Sequence, residues 1–462
     1  MAGMDRMMVF GIQYLIKEYL IRQMNEQFFR LPKDKAILPY KRTISNALKD
    51  PDLSFDHIEA LWELGHLPLL IKALPEGSLV DLKVPFMTSV STHPDFAWIV
   101  NMLETLESMC IWFPSTSATT AFHYRCMFEA FAKKTGAAKG FIPFQAHDFS
   151  ARGMTSPESG CTSSAGHVLS FLGTDSIMAI PFLEYYYNAD SDKELIGTSV
   201  YATEHAVMCM DGPEGEYALY RKLALKTYRD KIVSIVSDTY NLWRVVTEYL
   251  PKMKDELLQT KGKLVIRPDS GDPVLILCGD PAAPAGTPQH KGLIELLWET
   301  FGGSVNSLGF KVLDPHIGAI YGDSITPERA HRILTILMEK KFSTGCVVLG
   351  IGSYTYQYVT RDNFGTACKA TYAEVNGEAR ELFKDPITDG GKAAKKSAKG
   401  LLKVIQDPVT KRYQLLEQVT KEQEKEGCLI PVFANGELLV DHSLKEIRAR
   451  VEGHVSDFLA TI

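Results

Sequence analysis

Three arginines, Arg152, Arg267 and Arg361, fall beside segments that read as the ends of strands. A guanidinium presents a planar fork of donors that matches phosphate oxygens. One arginine alone more often pairs with a surface carboxylate, but Arg267-Pro268-Asp269-Ser270-Gly271-Asp272-Pro273 is less ordinary. Two prolines and a glycine stiffen that loop, and an ordered ligand site needs stiff placement of Arg267 and Asp269. Gly322-Asp323 follows another apolar strand; such a pair is either a plain turn or a place where backbone approaches a ligand and a carboxylate accepts from ribose hydroxyls. Gly350-Ile351-Gly352-Ser353 offers the small residues and N–H groups of a phosphate cradle, a pattern tight turns share. Glu204-His205 is the most reactive-looking pair, since an imidazole among polar loop residues can act as base, acid or nucleophile toward phosphorus. Phe149, in His147-Asp148-Phe149, reads either as core or as a stacking plate for a planar ring, and Asp175 as a helix cap or an acceptor for an amide NH₂. No metal-ligand spacing of the H-E-x-x-H kind is present, so no protein-held metal is expected.

These residues need a scaffold that repeats. From about residue 145, short apolar strands are each closed by a small polar cluster and then a helix: Lys231–Val236, Lys263–Ile266, Ile317–Tyr321 and Cys346–Leu349. Serial strand–loop–helix units mean a parallel sheet, and in a barrel the strand-end loops gather at one face. Thr326 is placed to cap a helix with Pro327 at its first position. Ahead of this, Phe10–Tyr19 and Phe96–Phe113 carry helical spacing and Leu79–Val90 reads as a strand. Beyond residue 370 the units stop, and strands are expected around Leu401–Ile405 and Val432–Val440. The expected organisation is an α/β barrel over 145–369 and a discontinuous α+β domain formed by 1–144 and completed by 370–462.

The chain has 462 residues, 45% of them apolar and 23% charged, which is ordinary globular composition. The excess of 56 acids over 50 bases gives a net charge of −6, which argues against a broad nucleic-acid-binding face. No run is long and apolar enough for a membrane span, and the first residues lack the pattern of a secretory signal. Eight scattered cysteines form no C-x-x-C pair, which points to a reduced, cytoplasmic setting.

Taken in order, the motifs resemble those of the nicotinamide phosphoribosyltransferases, within the type II phosphoribosyltransferase family. The matching segments are His147-Asp148-Phe149 with Arg152-Gly153, Gly173-Thr174-Asp175, Glu204-His205, Val236-Ser237-Asp238 and Arg267-Pro268-Asp269-Ser270-Gly271. They continue through Gly322-Asp323, Thr360-Arg361-Asp362 and Phe383-Lys384-Asp385-Pro386. The resemblance implies an irregular α/β barrel with a second α+β domain, acting as a homodimer with shared active sites. It implies synthesis of nicotinamide mononucleotide and pyrophosphate from nicotinamide and phosphoribosyl pyrophosphate in NAD salvage. Mg²⁺ would sit on the phosphates and ATP would act as an activating co-substrate.

By position, Phe149 matches the ring-stacking residue and Asp175 the acceptor for the carboxamide. Arg152 and Arg267 match residues near the ring and phosphates, with Ser237, Asp238 and Asp269 in the ligand loops and Gly322 and Asp323 as the ribose pair. Gly352, Ser353, Arg361, Lys369 and Lys384 match positions that handle phosphate, and His205 the histidine phosphorylated when ATP hydrolysis is coupled. Asp269 and Arg267 join His205 as the expected catalytic groups. A further phosphate-loop lysine corresponds to Lys392 or Lys395. The resemblance also implies a leading strand and a loop whose tyrosine stacks on the base from the partner subunit. Met1–Met8 do not carry that sequence, so the expectation is a start further upstream or a second plate from elsewhere. The rival readings are a nicotinate phosphoribosyltransferase, a catalytically impaired homologue acting as a dimeric partner or extracellular signal, and a barrel hydrolase using Asp238 and Asp269.

Overall fold

The computed structural model describes residues 4–384 and 397–462, so Lys392 and Lys395 lie outside the described residues. The chain forms two compact units. The first comprises Met1–Thr116, Glu184–Ala189 and Thr360–Arg450, and the second Ser117–Leu183, Asp190–Val359 and Val451–Ile462. Relative to the expected division at 144/145 and 369/370, residues 117–144 and 451–462 cluster with the barrel strands, and 184–189 and 360–369 with the first unit. The physical reason lies in one helix. The periodicity seen over Phe96–Phe113 belongs to a helix spanning Trp98–Thr135, which continues past Pro114. Its later turns bury Ala121, Tyr124, Phe128 and Phe131 in the core of the second unit.

Among the described residues, the second unit carries seven parallel strands: β1 (Ala146–Asp148), β2 (Gly173–Thr174), β3 (Tyr201–Ala202), β4 (Ile232–Val236), β5 (Lys263–Arg267), β6 (Ile317–Tyr321) and β7 (Val347–Ile351). Their order is β2-β1-β7-β6-β5-β4-β3. Every strand neighbours the next in sequence except at β2 and β3, and β7 returns to β1, so the sheet curls into an irregular barrel. Between β2 and β3 the ladder narrows to a parallel bridge from Gly173 to Thr198.

Alternation along the strands sorts the two faces. Leu264 and Ile266 of β5, Ile317, Ala319 and Tyr321 of β6, and Val347, Leu349 and Ile351 of β7 all enter one hydrophobic core with the surrounding helices. The alternate positions, Lys263, Val265 and Arg267 or Gly318 and Ile320, face the barrel interior. The expected cap is present: Thr326 accepts from Arg329 N at 3.3 Å and opens the helix Pro327–Glu339. Arg125 is buried in this unit; it donates to Glu129 at 2.9 Å, to Ser170 O at 2.8 Å and to Glu452 of the last helix at 3.0 Å.

In the first unit, Ile430–Ala434 pairs antiparallel with Leu69–Ala73, so a late segment completes a sheet begun early. Glu437–Leu438 and Met87–Ser91 flank them in a four-stranded sheet. The strand expected over Leu79–Val90 is two strands, Leu79–Asp81 and Met87–Ser91, because Lys83 takes a left-handed conformation (φ 71°) and turns the chain between them. Met7, Leu69, Ile71, Ile111 and Phe433 share its core.

Candidate active site

The strand-end loops of the barrel enclose a cavity of ≈ 180 Å³ lined by Phe149, Ala151, Arg152, Asp175, Ser176, Glu204, Arg267, Asp269 and Gly322. Phe149 leaves β1 with its N–H bonded to Ile351 O of β7 at 2.9 Å. A Cβ added to Gly350 would lie 2.5 Å from the Phe149 ring, so the ring rests directly on bare backbone. His147 tilts against it with centroids 4.8 Å apart, and the Arg267 guanidinium carbon sits 5.8 Å from its centroid. Phe149 is thereby fixed as a flat plate with a cation at its face.

Asp175 follows β2. His147 Nε2 lies 2.8 Å from Asp175 Oδ1 and donates to it, because an ionised carboxylate only accepts; the Ser199 hydroxyl donates to the same oxygen. Burial raises the Asp175 carboxyl, but these donors and the charges of His147 and Arg267 more than offset it, leaving its pKa below the ordinary 3.8. The group is therefore an anionic acceptor near neutral pH. Asp148 supports the turn from beneath: it is completely buried and accepts from Ser150 N at 2.9 Å and Thr174 Oγ1 at 3.2 Å.

Arg267 ends β5 with a side chain that is only 4% exposed. Its Nη2 lies 3.5 Å from Asp269 Oδ2 and 3.5 Å from Glu204 Oε2, while Arg152 Nη1 lies 3.8 Å from the same Glu204 oxygen. Ser237 does not line the cavity. Its fully buried hydroxyl accepts from Tyr220 OH at 2.6 Å and Arg267 N at 3.2 Å and donates to Ile235 O at 2.7 Å. Its place in the site is thus to lock β4 to β5 beneath Arg267.

Asp238 organises the loop after β5. Its Oδ2 accepts from Asp269 N at 2.9 Å, Ser270 N at 2.7 Å and the Ser270 hydroxyl. Burial raises its pKa, and these donors with the nearby His205 bring it below 3.8. His205 Nε2 stands 3.3 Å from Asp238 Oδ1, half exposed at the start of the short helix His205–Cys209. Asp269 behaves oppositely: burial pushes its carboxyl up, Arg267 only partly offsets this, and Asp238 adds repulsion. Its buried Oδ1 has no hydrogen-bond partner, and a Cβ on Gly322 would overlap it. Only glycine at 322 leaves room for that carboxylate. Tyr321 OH bonds to Gly271 O at 2.8 Å and ties the far side of the loop to β6.

The structure brings Phe149, Arg152, Asp175, Arg267, Asp269 and Gly322 to one cavity, with His205 and Asp238 joined to it through the loop. Asp323 is exposed beside Gly322. Ser353 begins a short helix capped by Gly352 and packs so closely that a Cβ on Gly153 would meet its side chain at 2.5 Å. Arg361, Lys369 and Lys384 are exposed residues of the first unit. The motif reading paired Glu204 with His205 but gave Glu204 no place at the ligand, although it lines the cavity; Ser176 and Ser199 gave no signal beyond their nearness to Asp175.

A family model described as the nicotinate phosphoribosyltransferase (NAPRTase) family matches residues 144–426. A nicotinamide phosphoribosyltransferase of Acinetobacter baylyi is 47% identical, with 98% of this chain and 90% of that protein covered. One of Xanthomonas campestris is 32% identical, with 97% and 91% covered. The fold is similar to the crystal structure of human nicotinic acid phosphoribosyltransferase, with a TM-score of 0.52 at 18% identity over 98% of this chain and 87% of that one.

Proposed function

The chain belongs to the nicotinate phosphoribosyltransferase family, and from that premise we propose that it is a nicotinamide phosphoribosyltransferase. It joins nicotinamide to phosphoribosyl pyrophosphate, giving nicotinamide mononucleotide and pyrophosphate for NAD salvage. The observation that carries the choice of base is the ionised Asp175 held beside the Phe149 plate. An amide NH₂ donates to that acceptor, whereas a carboxylate would meet like charge.

The ring stacks on Phe149 with its carboxamide toward Asp175, which aims the pyridine nitrogen at the anomeric carbon. The N–C bond forms as the C–O bond to pyrophosphate breaks, through a ribosyl cation-like state. Asp269, in contact with Gly322, accepts from ribose hydroxyls, as does Asp323. Arg267 and Arg152, with Ser353 at the neighbouring turn, stabilise the charge that grows on the leaving pyrophosphate. Arg361, Lys369 and Lys384, in the first unit, are the positions that the resemblance gives to phosphate.

Mg²⁺ fits this donor set. Asp269 Oδ1 is a buried acceptor with no hydrogen-bond partner, and Mg²⁺ commonly binds through one or two carboxylates plus substrate phosphates. The ion would be carried mainly by the diphosphate and would meet the protein at Asp269. When bound, the ion neutralises charge on the diphosphate.

His205 is the residue we assign to ATP coupling. It is half exposed and its Nε2 faces Asp238, which holds the ring in one orientation and leaves Nδ1 as the acceptor of a phosphoryl group. Homodimer formation is supported by exposed apolar side chains of the second unit, among them Ile177, Leu195, Tyr201 and Met210. Eight free cysteines suit a reducing cytoplasm, and among the described residues no helix is long and apolar enough to cross a membrane.

The test is mononucleotide formation from nicotinamide and from nicotinate at equal concentration with Mg²⁺. Faster turnover of nicotinamide is expected. Equal or faster turnover of nicotinate would overturn the assignment.

A further inference from the structure

Two arginines at one cavity ordinarily attract any small anion, a pyridine carboxylate included. The lining of this cavity opposes that. Arg152 and Arg267 contribute two positive charges, while Asp175, Glu204 and Asp269 contribute three carboxylates. Asp175 is engaged by His147 and Ser199, and Asp269 faces Arg267 at 3.5 Å. Glu204 is the carboxylate that the two guanidiniums share: the same oxygen lies 3.5 Å from Arg267 and 3.8 Å from Arg152. Arg267 is almost wholly buried, so the counter-ions beside it are poorly screened by solvent and count for more than surface pairs. Glu204 itself is 60% exposed.

We propose that Glu204 is a specificity residue that withholds Arg152 and Arg267 from a ring-borne carboxylate, so that an uncharged carboxamide is taken in preference to the corresponding acid. This rests on the cavity being the slot for the base. An incoming carboxylate that paired with either arginine would lie beside Glu204 and compete with it for the two guanidiniums. Its attraction to the arginines would be largely cancelled, and it would meet repulsion from both Glu204 and Asp175. A neutral amide leaves the Glu204 bridge in place and loses nothing. Specificity is a difference of affinities, and Glu204 acts on it by cancelling an attraction that would favour the wrong ligand.

The test uses the full-length protein and two probes, nicotinate and nicotinamide, titrated calorimetrically and assayed for mononucleotide formation. Glu204→Gln is expected to shift the ratio of the two affinities about tenfold toward nicotinate, with the change in turnover appearing in KM for nicotinate rather than in kcat. Glu204→Asp restores the charge and should bring the ratio back toward that of the wild type. Asp175→Asn serves as the reference for the slot, and it too should move the ratio toward nicotinate. An unchanged ratio in Glu204→Gln, beside a shifted ratio in Asp175→Asn, overturns the role of Glu204 alone. The same shift in Glu204→Asp as in Glu204→Gln also overturns it, since a charge effect would be rescued. A ratio indifferent to Asp175→Asn overturns the slot and this inference together.

Discussion

His147 and Asp175 are joined across two neighbouring parallel strands. His147 pairs in register with Gly173 of β2, two residues before Asp175, and its Nε2 reaches the carboxylate at 2.8 Å. The imidazole thus sets both the orientation and the charge of the acceptor beside the aromatic plate. His147→Leu removes this donor and should raise KM for nicotinamide about tenfold, the worth of one hydrogen bond to a charged group. Steady-state kinetics with nicotinamide as the varied substrate would check it. An unaltered KM would mean that Ser199 alone suffices.

Gly350 carries the underside of Phe149. Gly350→Ala would place a methyl group 2.5 Å from the ring, with no flexible side-chain end to yield. The plate must lift, so KM for nicotinamide is expected to rise at least about tenfold, with a stability loss of roughly 1–3 kcal/mol from overpacking. Denaturant unfolding and the same kinetic assay separate the two effects. A variant with wild-type KM would contradict the stacking role of Phe149.

His205→Ala should abolish stimulation by ATP while leaving basal synthesis measurable. Product formation with and without ATP, alongside acid-labile labelling from γ-labelled ATP, would read this out. Stimulation that survives in the alanine variant would place the phosphoryl acceptor elsewhere.

Glu76, fully buried in the first unit, accepts from Gln13 N at 2.6 Å. Burial pushes its carboxyl from 4.5 up to about 7, the backbone donors around it only partly offsetting this. The folded chain therefore keeps a proton that the unfolded chain releases, and the associated stability is complete below pH 4.5 and lost as pH rises through 7. Melting temperature should fall between pH 5 and pH 8, and Glu76→Gln should flatten that fall by a few degrees, roughly as one such titration converts into Tm. Parallel slopes for wild type and variant would remove Glu76 as the cause.

The barrel was legible because its strands are short apolar runs closed by polar clusters, a pattern local in sequence. Ile317–Tyr321 and the Thr326 cap appear as expected, and the other strand ends fall within about two residues. What was not legible depends on tertiary context. Helical periodicity over Phe96–Phe113 marks a buried face but not which core receives it, so the passage of one helix from the first unit to the second was invisible. Ser237 follows a strand as Phe149 and Asp175 do, yet its hydroxyl is used internally; nothing in the residue type says which way it turns. Glu204 is an exposed acid of the commonest kind, and its place between two arginines arises from strands far apart in sequence.

The bond from Arg125 to Glu452 has a consequence for how the molecule is made. Glu452 follows Arg125 by 327 residues, so the two ends of the bond leave the ribosome far apart in time. Arg125 has Glu129 of its own helix as an early counter-charge and gains Glu452 only after the barrel strands between them have been made. The second unit is therefore expected to close late, and a nascent chain stalled before residue 451 should remain open to protease around the Arg125 helix.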